Sequence, residues 1–179
     1  MTHVHPKGGT QRQLPYRYGD QLPKELIARR YGREHTLNQV IDPAVIAVQP
    51  DSPYQTLKEL LDAAKADPKS MTASTTGLQT GEHFAMAQIQ ETTGAEFAPV
   101  HFSEGASQAT TAFLGKHVDI LVANVSDVTD LTKQGKARVL GVMTSERSPS
   151  LPDVPTFKES GYDVEAGTVR GYSAPAGLP

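Results

Sequence analysis

The residues that offer chemistry in this sequence are small and hydroxylated, and they lie between predicted regular elements. The stretch from Ser74 to Gly81 reads Ser-Thr-Thr-Gly-Leu-Gln-Thr-Gly, in which six of the eight residues are small or hydroxylated. It joins a predicted strand to a predicted helix, whose first turn offers N–H groups and a partial positive charge. The stretch is therefore a candidate binding site for an anion such as a carboxylate. A solvated strand-to-helix turn is the alternative interpretation.

A second strand-to-helix loop and an asparagine are expected at the same edge of the predicted sheet as this loop, and a histidine borders the loop itself. The segment Ser103-Glu104-Gly105-Ala106 is a second strand-to-helix loop, in which we expect Glu104 to point to solvent or to a partner lobe. Asn124 follows a third strand, and its amide can both donate and accept. His83 can donate to a ligand or to the loop backbone, and both interpretations stay open. Ligands of open parallel sheets gather at the carboxyl ends of the strands, so these residues are candidates for one cleft.

The common catalytic and cofactor patterns are absent from the sequence. Gly77 is followed five places later by Glu82 rather than glycine, and no Lys-Ser or Lys-Thr pair comes after it, so the loop does not match a nucleotide phosphate loop. The dinucleotide, serine-hydrolase and zinc-protease motifs are also missing. His83, His101 and His117 are scattered over different elements without metal-ligand spacing. His3-Val4-His5 could chelate, but it lies in the irregular start of the chain, so we expect no metal and no cofactor. A small α/β enzyme acting on an anionic substrate is the least favoured alternative, because no acid, base or nucleophile can be assigned.

Composition and charge are those of an ordinary globular protein. The chain has 179 residues, of which 37% are hydrophobic and 21% charged, and its net charge is −3. This charge balance, without a run of basic residues, does not indicate binding to nucleic acid or to an anionic membrane. No apolar run approaches the roughly 18 residues that span a bilayer, and cysteine is absent. The first residues lack the pattern of a secretory signal, so we expect a cytosolic protein or one from which the signal has been removed.

Hydrophobic periodicity predicts alternating strands and helices from about residue 40 onwards. The clearest helix starts with the capping-box pattern Thr56-Leu57-Lys58-Glu59, and Gly94 and Gly115 are stop signals for two others. The βαβα order predicts an α/β fold with a mostly parallel sheet and helices on both faces. The predicted strands are Pro43–Val48, Met71–Ser74, Phe97–His101, Val118–Ala123, Arg138–Met143 and Thr168–Ser173; the predicted helices are one from Leu57 to Asp67-Pro68, Gly81–Thr93, Ala106–Leu114, Val125–Lys133 and a short one near Thr156–Ser160.

Residues 1–33 differ from the rest, being rich in proline, glycine, arginine and tyrosine, with one short helix predicted from Pro23. We expect them to form an N-terminal arm, and residues 34–179 to form a single α/β ligand-binding lobe.

Several segments together resemble the substrate-binding proteins of tripartite tricarboxylate transporters, the TctC or Bug family. They are residues 51–60, the Ser74-Thr75-Thr76-Gly77 loop, residues 141–148 and 151–156, Gly161-Tyr162-Asp163-Val164, and the closing Ala174-Pro175-Ala176-Gly177-Leu178-Pro179. The likeness covers about residues 33–179 in order, and its most specific part runs from Arg147-Ser148-Pro149 to Leu151-Pro152-Asp153-Val154-Pro155-Thr156.

The resemblance implies one lobe of a two-lobed periplasmic binding protein of type II, which closes on a small carboxylate and delivers it to a membrane permease. It also implies that the family's first lobe is missing from this chain. Carried over to this sequence, the ligand-binding residues are Ser74, Thr75, Thr76, Gly77, Gln79 and Thr80 in the first loop, Ser103, Gly105 and Ala106 in the second, and Asn124 in the cleft. His83 joins them as a candidate because of its position beside the first loop.

A second hypothesis treats the lobe as an interaction module without transport. A lone lobe exposes apolar surface and strand edges where its hinge would be, and these can pair with a second copy of the chain. A homodimer through the hinge edge is therefore the alternative to ligand delivery.

Overall fold

A computed structural model describes residues 39–171, which form six strands and four helices around one sheet. The predictions for residues 1–33 lie outside the described residues. The strands are β1 (Gln39–Val48), β2 (Thr72–Thr75), β3 (Ala98–His101), β4 (Ile120–Asn124), β5 (Arg138–Val142) and β6 (Gly167–Gly171); the helices are α1 (Leu57–Ala66), α2 (Gly81–Thr93), α3 (Ala106–Leu114) and α4 (Val125–Lys133). No helix of the described part has the length and apolar character needed to cross a membrane.

The sheet is mixed because its first strand runs against its neighbours. The strand order is β3-β2-β4-β1-β5, with β2 parallel to both β3 and β4. β1 is antiparallel to β4 and β5 along its second half, and antiparallel to β6 along its first half. The carboxyl ends of β2, β3 and β4 therefore meet at one edge of the sheet. The amino end of β1 lies at that edge too.

Alternation along β1 divides the core into two layers. Ala44, Ile46 and Val48 pack with α1 and α2 on one face of the sheet, whereas Val45 and Ala47 pack with α3 and α4 on the other. Each face of the sheet is thus covered by two helices, as expected for an α/β fold. The helices place their amino termini beside the strands that precede them.

Most predicted boundaries lie within two residues of the observed ones, but β1 begins four residues before the predicted Pro43, and one predicted helix is absent. Helices α2, α3 and α4 span the predicted ranges, and Gly94 ends α2 in the left-handed conformation, with φ of 74°. The prediction of a short helix near Thr156–Ser160 is wrong, because this segment forms turns. Thr156 and Glu159 do exchange the hydrogen bonds of a helix start, but no second turn follows to propagate it.

Candidate functional site

The loop between β2 and α2 folds on itself and leaves the start of α2 uncapped. Gly77 has φ of 135°, which favours glycine, and its carbonyl accepts from the hydroxyls of Thr75 at 3.3 Å and Thr80 at 3.0 Å. Thr80 is the N-cap residue, yet its side chain makes no capping hydrogen bond. The first N–H groups of a helix have no partner within the helix. At α2, the N-cap side chain supplies none either, so within residues 39–171 these amides have no capping partner.

Glu82 joins this loop to the end of β4. Its side chain lies in the first turn of α2 and is only 5% exposed. The hydroxyl of Thr76 donates to Oε2 at 2.6 Å, and Nδ2 of Asn124 donates to Oε1 at 3.1 Å. The buried carboxylate of Glu82 thereby holds the side chain of Asn124, which lies 42 positions later in the chain, at the start of α2.

Asn124 also connects the site to β6. Its Oδ1 accepts from the hydroxyl of Thr168 at 3.4 Å, and its backbone N–H donates to Asp127 in the first turn of α4 at 3.2 Å. A Cβ atom at Gly81 would lie 3.1 Å from the Thr168 hydroxyl, so β6 passes close to the start of α2. Three elements therefore converge at the carboxyl edge of the sheet.

Two imidazole rings lie beside the same loop. Nδ1 of His83 accepts from the backbone N–H of Gln79 at 3.0 Å, which assigns the proton of a neutral ring to Nε2. Nδ1 of His101 and the hydroxyl of Thr75 are 2.6 Å apart. The two ring centroids are 5.0 Å apart in an edge-to-face arrangement. The structure thus gives His83 a partner in the loop backbone and leaves its Nε2 as a further donor.

The second loop starts beside the first one. The backbone N–H of Phe102 donates to the carbonyl of Thr75 at 2.9 Å, so both loops leave the sheet from neighbouring strands. Gly105 is the N-cap of α3, with φ of 93°, and no side chain caps this helix. Ser103 is exposed, and Gly105 and Ala106 are half-buried. A second uncapped helix start therefore lies at the same edge of the sheet, on the face opposite that of α2.

Two predicted residues differ in placement from the others. Ser74 is fully buried within β2, where it alternates to the face opposite Ala73, and its hydroxyl has no hydrogen-bond partner among residues 39–171. Gln79 is exposed with φ of 60°, and its contact with the site runs through its backbone N–H. The remaining predicted residues meet at the edge, where strand pairing and hydrogen bonds bring them together.

The arrangement can present backbone amides to an anion. The hydroxyls of Thr75, Thr76 and Thr80 are engaged within the loop or with Glu82 and His101. An external carboxylate would therefore meet mainly the first-turn N–H groups of α2 and α3. The described residues contain no group of three or more histidine, aspartate or glutamate side chains suited to hold a metal ion.

Three large apolar side chains in the elements that meet at this edge are exposed. Leu78 in the first loop is 69% exposed, Phe84 in the first turn of α2 is 60% exposed, and Val169 in β6 is 48% exposed. Exposed apolar residues grouped around a polar site are typical of a surface that another surface covers.

The sequence predicts neither Glu82 nor Thr168 as part of the site, and it gives His101 no role beyond a metal site that its spacing does not support. An acidic residue in the first turn after a hydroxyl-rich loop was a usable signal for Glu82, since its side chain can reach back to the loop. No local pattern indicates Thr168, because its contact depends on β6 pairing with β1.

Known proteins match this chain closely enough to define its family. A model of the tripartite tricarboxylate transporter family receptor, TctC, matches residues 10–179. A UPF0065 protein in the gbd 5' region of Cupriavidus necator is 33% identical over 132 residues, covering 74% of this chain and 40% of that protein. The chain thus spans less than half the length of this relative.

Solved structures confirm the α/β binding-protein fold. A TctC solute-binding protein from Polaromonas superposes with a TM-score of 0.70 at 34% identity, over 82% of this chain and 49% of that one. MatC from Rhodopseudomonas palustris, with bound malate, superposes with a TM-score of 0.65 at 22% identity, over 84% of this chain and 52% of that one, and shows the shared fold. The matching family model is that of a receptor, and the Polaromonas structure is that of a solute-binding protein. By its family match and its fold, the chain belongs to the TctC family of tripartite tricarboxylate transporter receptors.

Proposed function

We propose that residues 34–179 form one lobe of a periplasmic receptor, and that this lobe binds a small carboxylate for delivery to a tripartite tricarboxylate transporter permease. The observation that carries the proposal is that α2 and α3 both begin without a side-chain cap. Both starts lie at the carboxyl edge of the sheet, where ligands of α/β proteins bind. Membership of the receptor family supports the same assignment.

The proposed ligand contacts come mainly from the backbone. In this proposal the first-turn N–H groups of α2 donate to the oxygens of one carboxylate, assisted by Nε2 of His83. Those of α3, which follows the neighbouring strand β3 and packs on the other face of the sheet, are a second set of donors. The first loop is shaped by Thr75, Thr76, Gly77, Gln79 and Thr80, and the second by Ser103, Gly105 and Ala106. Both loops are supported by Asn124 and the buried Ser74. Malate bound to MatC is a ligand of the proposed chemical class.

A matched pair of variants at Gly81 tests the backbone contact. Gly81→Pro removes the first N–H of α2, whereas Gly81→Ala keeps it and adds the Cβ atom that both variants share. Proline is tolerated at the first helical position, and Thr80 already has the extended backbone, with φ of −85° and ψ of 169°, that precedes proline.

Isothermal titration calorimetry with malate and succinate measures the effect. We expect Gly81→Pro to weaken binding by about tenfold relative to Gly81→Ala, because a charge-assisted hydrogen bond is lost. Equal affinities for the two variants would remove α2 from the proposed site. An absence of saturable binding of any small carboxylate by the unmodified chain would overturn the proposed function.

The exposed side chains of Leu78, Phe84 and Val169 favour a second function, an interaction module that pairs through this edge. Sedimentation velocity over a range of protein concentrations separates the two functions. A dimer that Leu78→Ser and Phe84→Ser together dissociate would support the module, whereas a monomer at all concentrations would exclude self-association.

A further inference from the structure

Glu82 is a buried acidic group in a site proposed to receive an anion. Its carboxylate accepts one hydrogen bond from Thr76 and one from Asn124. No lysine or arginine forms an ion pair with it in the part of the chain that the structure describes. Two neutral donors and the amino terminus of its own helix are the groups that stabilise its charge.

The position of Glu82 places this charge close to the proposed ligand. Its own backbone N–H is among the first-turn amides of α2, so an anion bound there lies only a few ångströms from the side-chain carboxylate. Charges at that distance in a partly buried site interact strongly, because solvent screens them poorly. A bound carboxylate is therefore attracted by the helix start and repelled by Glu82.

A cationic group on the ligand would remove this conflict. Two hydrogen-bonded oxygens still leave lone pairs on the carboxylate of Glu82, and an ammonium group supplies both a charge and N–H donors. Resting on the proposed function, we infer that Glu82 makes this site select carboxylates that carry an ammonium group over otherwise identical carboxylates without one. Glu82 is thus a specificity-determining residue, whose role does not require it to touch the ligand.

Two pairs of probes test the inference, since each pair differs only by an ammonium group: succinate with L-aspartate, and glutarate with L-glutamate. Calorimetric titration of the full chain is expected to show at least about tenfold tighter binding of the amino-bearing member. Glu82→Gln keeps the shape of the side chain and removes its charge. In this variant the preference is expected to shrink by about tenfold, partly because succinate and glutarate bind more tightly.

Glu91→Gln is the matched control, because Glu91 lies exposed on the same helix, and its variant is expected to keep the preference of the unmodified chain. Equal affinities within each pair, or a preference that survives Glu82→Gln unchanged, would overturn the inference while leaving carboxylate binding intact. If neither these probes nor malate bind, the proposed function fails as well. Should Glu82→Gln not fold, as judged by circular dichroism, the comparison of paired ligands on the unmodified chain still decides the inference.

Discussion

The amino termini of α1 and α2 differ in whether nearby side chains cap the first backbone N–H groups of the helix. At α1, Thr56 accepts from the backbone N–H of Glu59 at 3.2 Å, and Glu59 accepts from the backbone N–H groups of Gln55 at 2.7 Å and Thr56 at 3.2 Å. At α2, Thr80 turns to the carbonyl of Gly77, and the acidic residue of the first turn bonds distant side chains. One helix start is closed by its own residues, and the other is left open.

The difference separates structural from functional helix starts. The closed end of α1 lies away from the candidate site and gains stability from its capping box. The open ends of α2 and α3 forgo that stability at the edge where a ligand is proposed to supply the missing acceptors. Substitutions should therefore affect stability at the closed end of α1 and ligand binding at the open end of α2, whereas at α3 the positive φ of Gly105 adds a separate effect on stability.

The largest stability effect is expected at the start of α3. Gly105→Ala should lower the free energy of unfolding by about 1–3 kcal/mol, because φ of 93° with ψ of −165° is accessible almost only to glycine. Urea denaturation measures the loss. Gly94→Ala is the matched control, expected to cost about 1 kcal/mol because its left-handed conformation is less restrictive. A Gly105→Ala protein as stable as the unmodified chain would contradict this account of the α3 start.

A smaller effect is expected at the closed end of α1. Thr56→Ala should lower the free energy of unfolding by about 1 kcal/mol, because the capping box loses its hydroxyl acceptor. Thr80→Ala at α2 is the contrasting variant and should cost no more than about 0.5 kcal/mol, since its hydroxyl caps no helix amide. Thermal denaturation of both variants measures the difference. Equal losses would mean that the two helix starts do not differ in the way described.

The smallest effect concerns the turn in which Thr156 and Glu159 repeat the hydrogen bonds of α1 without a helix. The backbone N–H of Thr156, followed by the Arg147 guanidinium, lowers the pKa of Glu159 below its ordinary value of 4.5. A carboxyl whose pKa is lower in the folded state contributes stability above its unfolded pKa and loses it as pH falls through the folded pKa.

Glu159→Gln should therefore lower the melting temperature slightly at neutral pH, with a difference from the unmodified chain that shrinks as the solution is acidified below pH 4.5. The effect is small because the pair with Arg147 is exposed to solvent. Melting temperatures of the two proteins across this pH range measure it, and Glu91→Gln serves as control. A difference that grows on acidification would show that the sign is wrong.

Local signals predicted the elements, whereas long-range pairing decided the site. The capping box at Thr56 and the stop at Gly94 are determined by neighbouring residues, and both are present as predicted. The direction of β1 was not predictable in this way, because strand order depends on contacts among distant segments. The bond from Asn124 to Glu82 has the same origin, since it forms only after β2 and β4 have paired. The chemical types of residues at the edge were therefore predictable, but their partners were not.

The ten-residue strand β1 has a consequence for how the edge can move. Its second half is fixed between β4 and β5, while its first half pairs with β6, which carries Thr168 beside the site. Any displacement of β6 relative to the core must therefore either bend β1 near Ala44 or break the pairing between the two strands. The joint between the core and the Thr168 segment thus lies within a continuous strand, where rotation is resisted by backbone hydrogen bonds rather than permitted by a loop.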